Sequence, residues 1–218
     1  MSIVIAVDGT AASGKGTLAK RLAAHFGFHH LDSGSLYRLT ALGVINAGDD
    51  PNSEADAVKA AHAIDPSKAD DIRIRSAEIG KAASMVSVFP AVRAALLDYQ
   101  RTFARREPGA VIDGRDIGTV VCPDATAKLF VDAGPEVRAH RRWLELAAMG
   151  QPRDKTLLLA EILARDEADR SRAVSPLARA LDAALLDTSD LDIDAAFAAA
   201  LALVEPRVEG ALKDRHRG

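Results

Sequence analysis

The stretch Ile3-Val4-Ile5-Ala6-Val7-Asp8-Gly9-Thr10-Ala11-Ala12-Ser13-Gly14-Lys15-Gly16-Thr17 decides how the rest of the chain is read. Its opening apolar run, mostly β-branched and closed by Asp8-Gly9, predicts a strand buried on both faces of a parallel sheet. From Lys15 to Phe26, Leu18, Leu22 and Phe26 recur every four residues among Lys20 and Arg21, which predicts an amphipathic helix. Between strand and helix, Gly9-x4-Gly14-Lys15 has the spacing of a phosphate-binding loop. Consecutive backbone N–H groups cradle phosphate oxygens, the lysine reaches the terminal ones, and the helix N-terminus adds partial positive charge. Gly9, Thr10, Ala11, Ala12, Ser13, Gly14, Lys15, Gly16 and Thr17 are therefore the candidate ligands of a nucleotide's phosphates.

Working outward, His29-His30-Leu31 reads as a second strand, and Asp32-Ser33-Gly34-Ser35 as a turn capping a helix over Leu36 to Ala47. Gly48 to Arg75, rich in turn residues and Asp, reads as a surface insertion with one weak helical window from Ala55 to Ala63. Helices are predicted over Ala77 to Val88 and after Pro90, where Val92, Leu96, Leu97 and Phe103 share a face. Ala110-Val111-Ile112-Asp113 and Lys128-Leu129-Phe130-Val131-Asp132 are predicted buried strands of the first strand's sheet. Helices over Pro135 to Met149 and Thr156 to Val174 are separated by Gly150-Gln151-Pro152-Arg153-Asp154, where a hinge or lid fits. Leu185-Leu186-Asp187 reads as the last strand and Ile193 to Val204 as a final helix, with a frayed tail after Glu205.

The 218 residues and 48% apolar content suit one α/β domain with insertions. A net charge of −3 offers no broad cationic field for a nucleic-acid backbone, so phosphate binding must be local. The single cysteine, Cys122, excludes an internal disulfide framework and reads as a buried, inert thiol. Ile3 to Val7 is too short for a signal core or a membrane span, so the cytosol is expected. His29, His30, His62 and His140 show no spacing with cysteines or acids that would make a zinc site.

Two further groups bear chemistry. Arg165, Asp169 and Arg172 stand at i, i+4 and i+7, which at about 100° per residue places them within roughly 60° on one helix face. Such a face serves either one anionic ligand or ordinary solvated ion pairing. Asp113-Gly114-Arg115-Asp116 follows a predicted buried strand at the edge where open α/β sheets bind ligands. Asp113 suits magnesium held through water and Arg115 a phosphate, unless the segment is only a polar turn. Arg38, Arg141 and Arg142 flank turns or the suspected hinge.

The residue after Lys15 is glycine, with the expected hydroxyl displaced to Thr17. A Lys-Gly-Thr ending is the form of nucleoside monophosphate kinases, in which magnesium is held mostly by substrate phosphates and water. The chain resembles the bacterial cytidylate kinases in particular. The resemblance rests on Leu31-Asp32-Ser33-Gly34-Ser35-Leu36-Tyr37-Arg38, on Ala82-Ala83-Ser84 with Phe89-Pro90-Ala91-Val92-Arg93, on Asp113-Gly114-Arg115-Asp116-Ile117-Gly118-Thr119-Val120-Val121, and on Arg165-Asp166 through Arg172-Ala173-Val174-Ser175-Pro176-Leu177. It implies a P-loop NTPase-type three-layer α/β sandwich with a parallel central sheet. It also implies a reduced CMP-binding insertion at about 35–95 and a short helical lid at about 141–160 within one domain.

The implied activity is transfer of the ATP γ-phosphoryl group to CMP or dCMP, with Mg²⁺ as cofactor, in a monomer without nucleic-acid or membrane partners. By the same resemblance Ser84, Arg93 and Asp116 read the cytosine, and Arg165 and Asp169 hold the ribose. Ser33, Arg38, Arg115 and Arg172 surround the acceptor phosphate. Lys15, Arg115, Arg172 and the lid residues Arg141 and Arg142 are the implied catalytic cations, and Thr17 and Asp113 hold the metal, Asp113 through water. The family often carries a longer insertion with its own small sheet, whereas Asp65 to Arg75 is short and turn-rich. A P-loop kinase for another small acceptor is the alternative. A GTP-binding switch lacks support, because Asn46 and Asn52, the only asparagines, supply no Asn-Lys-x-Asp motif.

Overall fold

A computed structural model describes residues 2–69 and 71–215. Five strands, β1 (Ile3–Gly9), β2 (His29–Asp32), β3 (Gly109–Gly114), β4 (Ala127–Asp132) and β5 (Ala184–Asp187), form one sheet in the order β2-β3-β1-β4-β5. β1 pairs in parallel with both β3 and β4, and β4 in parallel with β5. Every residue of β1 and β3 is buried, which accounts for their uninterrupted apolar sequences. β1 is the middle strand of the five, as its sequence predicts.

The helices are α1 (Lys15–Phe26), α2 (Ser33–Ala47), α3 (Glu54–His62), α4 (Ala77–Val86), α5 (Pro90–Ala104), α6 (Pro135–Ala148), α7 (Lys155–Arg170) and α8 (Ile193–Arg215). The chain divides into two compact units, Met1–Leu31 with Ala104–Gly218, and Asp32–Phe103. In the larger unit Leu18, Leu22 and Ala23 of α1 and Ala196, Ala200, Val204 and Val208 of α8 pack with Ile5, Val7, Val111 and Leu129 of the sheet. Alanine and valine at i, i+4, i+8 and i+12 let α8 lie close on this face.

The smaller unit has its own core of Leu36, Leu39 and Val44 from α2, Ala57 and Ala61 from α3, Ile79 and Val86 from α4, and Val92 and Leu96 from α5. Gly48 to Arg75 is therefore more than a surface insertion. Its α3 and the 3₁₀ turn Ile72–Arg75, with buried Ile74, supply part of that core. Asp70, inside the same stretch, lies outside the described residues.

Four local expectations are corrected. Ser33-Gly34-Ser35 is the first turn of α2, because Ser35 Oγ donates to the Asp32 carbonyl at 2.6 Å within the helix start. α7 stops at Arg170, so Arg172 lies beyond the helix whose face it was expected to share. The chain after Glu205 is helical through Arg215 despite Pro206. Pro206 is exposed, whereas Val204 and Val208 on the opposite side are fully buried, so the helix continues on the packing of that buried side. Arg215 then ties the helix end to Glu107 at 2.9 Å. Finally, Cys122 is half-buried rather than buried.

Among the described residues no single helix is long and apolar enough to cross a membrane. The bent pair α4 and α5 passes by composition only, and its apolar residues form the smaller unit's core.

Candidate active site

The loop after β1 is fixed through its carbonyl oxygens. Gly9 O accepts from Arg115 at 2.7 Å, Thr10 O from Ser13 Oγ at 3.0 Å and from Lys15 Nζ at 3.4 Å, Ala11 O from Arg138 at 3.2 Å, and Ser13 O from Thr188 Oγ1 at 2.9 Å. Thr10 Oγ1 is in turn bonded to Asp132 of β4 at 2.7 Å. A loop whose carbonyls are engaged by such donors can offer its peptide N–H groups to an anion at the start of α1. Lys15 is half-buried, and its long bond to Thr10 O is one that a phosphate readily replaces.

Gly9 is required by sterics: a Cβ there would stand 1.9 Å from Val131 O. Gly9→Ala is expected to cost about 3 kcal/mol, because β1 and β4 must separate where the loop begins. Urea unfolding checks this, and an unchanged midpoint would show that the strands part easily.

At the end of β3, Asp113 is buried and its Oδ1 lies 2.8 Å from His30 Nε2. Its Oδ2 faces α1, 3.6 Å from where Gly16 would carry a Cβ. One carboxylate beside the helix start, with the exposed Thr17 hydroxyl one residue on, fits a magnesium ion that takes its other ligands from water and phosphate oxygens.

Arg165, Asp169 and Arg172, which the sequence spacing put on one helix face, come together by a different route, and Arg115 from the end of β3 joins them. Asp169 is buried and receives Arg115 Nε at 2.7 Å, while Arg172, past the helix end, folds back onto its other oxygen. Leu177 N on the Asp169 carbonyl at 2.7 Å closes that return. Burial pushes the Asp169 carboxyl up, but Arg115, Arg165 and Arg172 more than offset it and hold it below the ordinary range. Arg115 thus bonds both Asp169 and the first carbonyl of the phosphate loop.

Asp116 is buried and precedes a single wide, π-helical turn, Ile117–Val121. Its carbonyl accepts from Val120 N at 2.9 Å and Val121 N at 3.2 Å. Such turns recur at functional positions because they re-aim the chain.

In the smaller unit, Arg38 of α2 donates to Ile74 O at 2.7 Å and lies against Gly80 of α4, whose carbonyl accepts from Ser84 Oγ at 3.2 Å. Arg93 is buried over the Tyr37 ring at 5.4 Å and donates to Ser87 O at 3.4 Å. Arg38, Ser84 and Arg93 are thereby placed around the α2 and α4 helices, with Ser33 buried in the first turn of α2.

Arg141 and Arg142, expected from the sequence to belong to a lid, are engaged elsewhere. Arg141 binds Thr188 Oγ1 at 3.0 Å, Thr188 O at 2.6 Å and Leu191 O at 3.4 Å, and Arg142 pairs with Glu145 at 2.7 Å. The Gly150 to Asp154 loop is held by Arg153 with Glu161 at 2.7 Å and by Lys155 over Trp143 at 4.0 Å.

Three groups escaped the sequence reading. Arg138, 3% exposed, links Ala133 O, Ala11 O and Asp166, the last at 2.6 Å. Its only sequence signal was an arginine on the apolar side of an amphipathic helix. Thr188 carried no signal, since its contact with Ser13 spans 175 residues. Asp8, read only as the end of a strand, is buried and accepts Ile117 N and Gly118 N, both at 2.7 Å. Loss of water, supported by nearby Asp116 and opposed by those two N–H groups and Lys15, pushes its carboxyl up to about 6.

The cytidylate kinase family model matches residues 5–206. Cytidylate kinases of Rhodopseudomonas palustris (strain TIE-1) and Bradyrhizobium sp. (strain ORS 278) are each 56% identical over 203 residues, 93% of this chain and 96% of theirs. A third, from Rhodopseudomonas palustris (strain BisA53), is 54% identical over 211 residues, 97% of this chain and all of its own. Among solved structures, a gluconokinase from Sinorhizobium meliloti 1021 superposes with a TM-score of 0.52 at 15% identity, covering 97% of both chains. At that identity the likeness shows the shared fold alone. Similarity above half identity along almost the whole length, on a sheet whose central strand leads into this loop, settles the descent: the chain belongs to the cytidylate kinase family.

Proposed function

We propose that the protein transfers the γ-phosphoryl group of ATP to CMP or dCMP, giving ADP and CDP or dCDP. The observation that carries the reading is Arg115, which bonds the first carbonyl of the donor-phosphate loop and the Asp169 carboxylate together. A cation so held suits a group passing between two nucleotides. The loop from Gly9 to Thr17 takes the ATP phosphates, and Lys15 the β and γ oxygens. Mg²⁺, held by Thr17 and through water by Asp113, supplies charge neutralisation on those oxygens when bound.

In this reading Ser84, Arg93 and Asp116 bind the cytosine. Its exocyclic amine donates to a carboxylate, and its carbonyl and ring nitrogen accept from arginine and serine. Arg165 and Asp169 hold the ribose, and Ser33, Arg38, Arg115 and Arg172 the acceptor phosphate. That phosphate is already largely ionised at neutral pH, its second pKa being near 6, so positioning and charge neutralisation carry the catalysis without a general base.

Of the lid pair, Arg142 must leave only the half-exposed Glu145, whereas Arg141 must surrender Thr188 and Leu191. Arg142 is the better placed to reach the transferring group. Residues 35–95 then act as the acceptor-binding insertion and 141–160 as the lid, in a cytosolic monomer.

A coupled assay over CMP, dCMP, UMP, AMP and GMP with ATP and Mg²⁺ tests the reading. Turnover of CMP and dCMP is expected, with purine nucleotides slower by about 10⁴-fold, because they leave buried polar groups unpaired. Turnover of AMP with none of CMP would overturn it.

A further inference from the structure

We infer that Asp8 is a positioning residue for acceptor recognition, its carboxylate clamping the turn that presents Asp116. The inference rests on the reading of Asp116 as a cytosine ligand.

Asp8 is 5% exposed and lies at the point where β1 passes into the phosphate loop. Its two oxygens take separate donors, Oδ1 the N–H of Ile117 and Oδ2 the N–H of Gly118, each at 2.7 Å. These are the two peptide groups that immediately follow Asp116. On the other side of the same residue, the Asp116 carbonyl receives Val120 N and Val121 N. The backbone of Asp116 is therefore gripped through the turn's first N–H groups by Asp8 and through its own carbonyl by the turn's far end. Asp116 itself has φ −142° and ψ 24°, outside the regular helical range, a conformation that the flanking bonds must hold.

The surrounding residues are shaped for this contact. A Cβ on Gly118 would stand 3.1 Å from Lys128 Cδ and 3.3 Å from Asp8 Oδ2, so a side chain there would press on the carboxylate. The charges acting on Asp8 are Asp116 from the turn and Lys15 from α1, while Lys128 of β4, whose methylenes also approach Gly118, sends its Nζ to Asp182 at 3.0 Å. Asp8 is adjacent to Gly9, whose carbonyl holds Arg115. Residues 8 and 9 thus fasten residues 115, 117 and 118, and the donor loop and the base-reading turn share one anchor.

Asparagine at position 8 keeps the shape but turns an NH₂ group toward one of the two N–H donors, breaking half of the clamp. The test is steady-state kinetics of Asp8→Asn, Asp116→Ala and the double variant with CMP and ATP. Asp8→Asn is expected to raise the KM for CMP about tenfold, the effect of one lost buried charge-assisted hydrogen bond, and to leave the KM for ATP within about twofold. In the Asp116→Ala background the same substitution is expected to add less than about twofold, since residues acting through one another are not additive.

Equal rises in both KM values, or a full tenfold effect persisting without Asp116, would overturn the inference and make Asp8 a general structural residue. If Asp116→Ala raises the KM for CMP while Asp8→Asn does not, the inference fails and the reading of Asp116 stands. If Asp116→Ala leaves it unchanged, both fail. Should Asp8→Asn unfold, Asp8→Glu, which keeps both oxygens but displaces the turn, replaces it with the same expected split.

Discussion

Lys15→Ala is expected to lower kcat about 10²–10³-fold with CMP and dCMP alike, the usual loss when one preorganised charge at a reacting centre is removed. The half-buried Lys15 ammonium spans the loop to Thr10 O at 3.4 Å, a contact weak enough to be exchanged for a phosphate oxygen. Charge on the transferred group is spread over its equatorial oxygens, so the lysine matters more during transfer than in substrate binding, and kcat should fall further than KM rises. The fold is expected to persist, since the other loop carbonyls keep Arg115, Arg138 and Thr188 as donors. An ADP-release assay beside a thermal melt separates the two effects. A kcat within a few-fold of the parent would remove Lys15 from the reaction.

Asp169→Ala is expected to cost about 3–5 kcal/mol of stability and nearly all CMP turnover, because it leaves Arg115, Arg165 and Arg172 around an emptied buried position. Asp169→Asn, which retains hydrogen-bonding capacity, should fold better and still lose acceptor binding. The pH dependence identifies the cause. The folded-state pKa of Asp169 is lowered, so its stabilisation is fully present above the unfolded carboxyl value near 3.8 and is lost as pH falls through the lower folded value. Asp8 acts in the opposite sense. Its folded value is raised to about 6, so its contribution is greatest below 3.8 and is lost as pH rises through 6. Urea midpoints between about pH 2 and 5 should therefore fall less steeply on the acid side in Asp169→Asn. A parent-like acid slope in that variant would assign the acid sensitivity to other groups.

What could be read from the sequence and what could not divide along physical lines. β1, α1, β3 and β4 were legible because strands buried on both faces and an amphipathic helix each leave a local pattern. The loop was legible because its glycines and lysine are adjacent in the chain. The Arg165, Asp169 and Arg172 group was found through a helical spacing that Arg172 does not obey. The three meet because the chain turns back after Arg170, with Ser175 at φ 54° and Leu177 bonded to Asp169. Helix periodicity cannot reveal such a return.

Arg138, Thr188 and Asp8 were missed for a common reason: each acts on backbone atoms more than a hundred positions away, and backbone partners leave no trace in residue type. The extension of α8 past Pro206 was missed because a proline's cost is weighed against the packing of the helix around it, here that of Val204 and Val208.

The carbonyl anchors of the phosphate loop bear on the order in which the protein assembles. Arg115, Arg138 and Thr188 reach Gly9, Ala11 and Ser13 across 106, 127 and 175 residues of chain. β1 and α1 precede β3, α6 and β5 in the chain, so these donors to the carbonyls of the loop between them all come from later segments. A fragment that ended before β3 would lack all three of these donors. A nucleotide that binds the finished protein and not its precursors stabilises the native state by mass action.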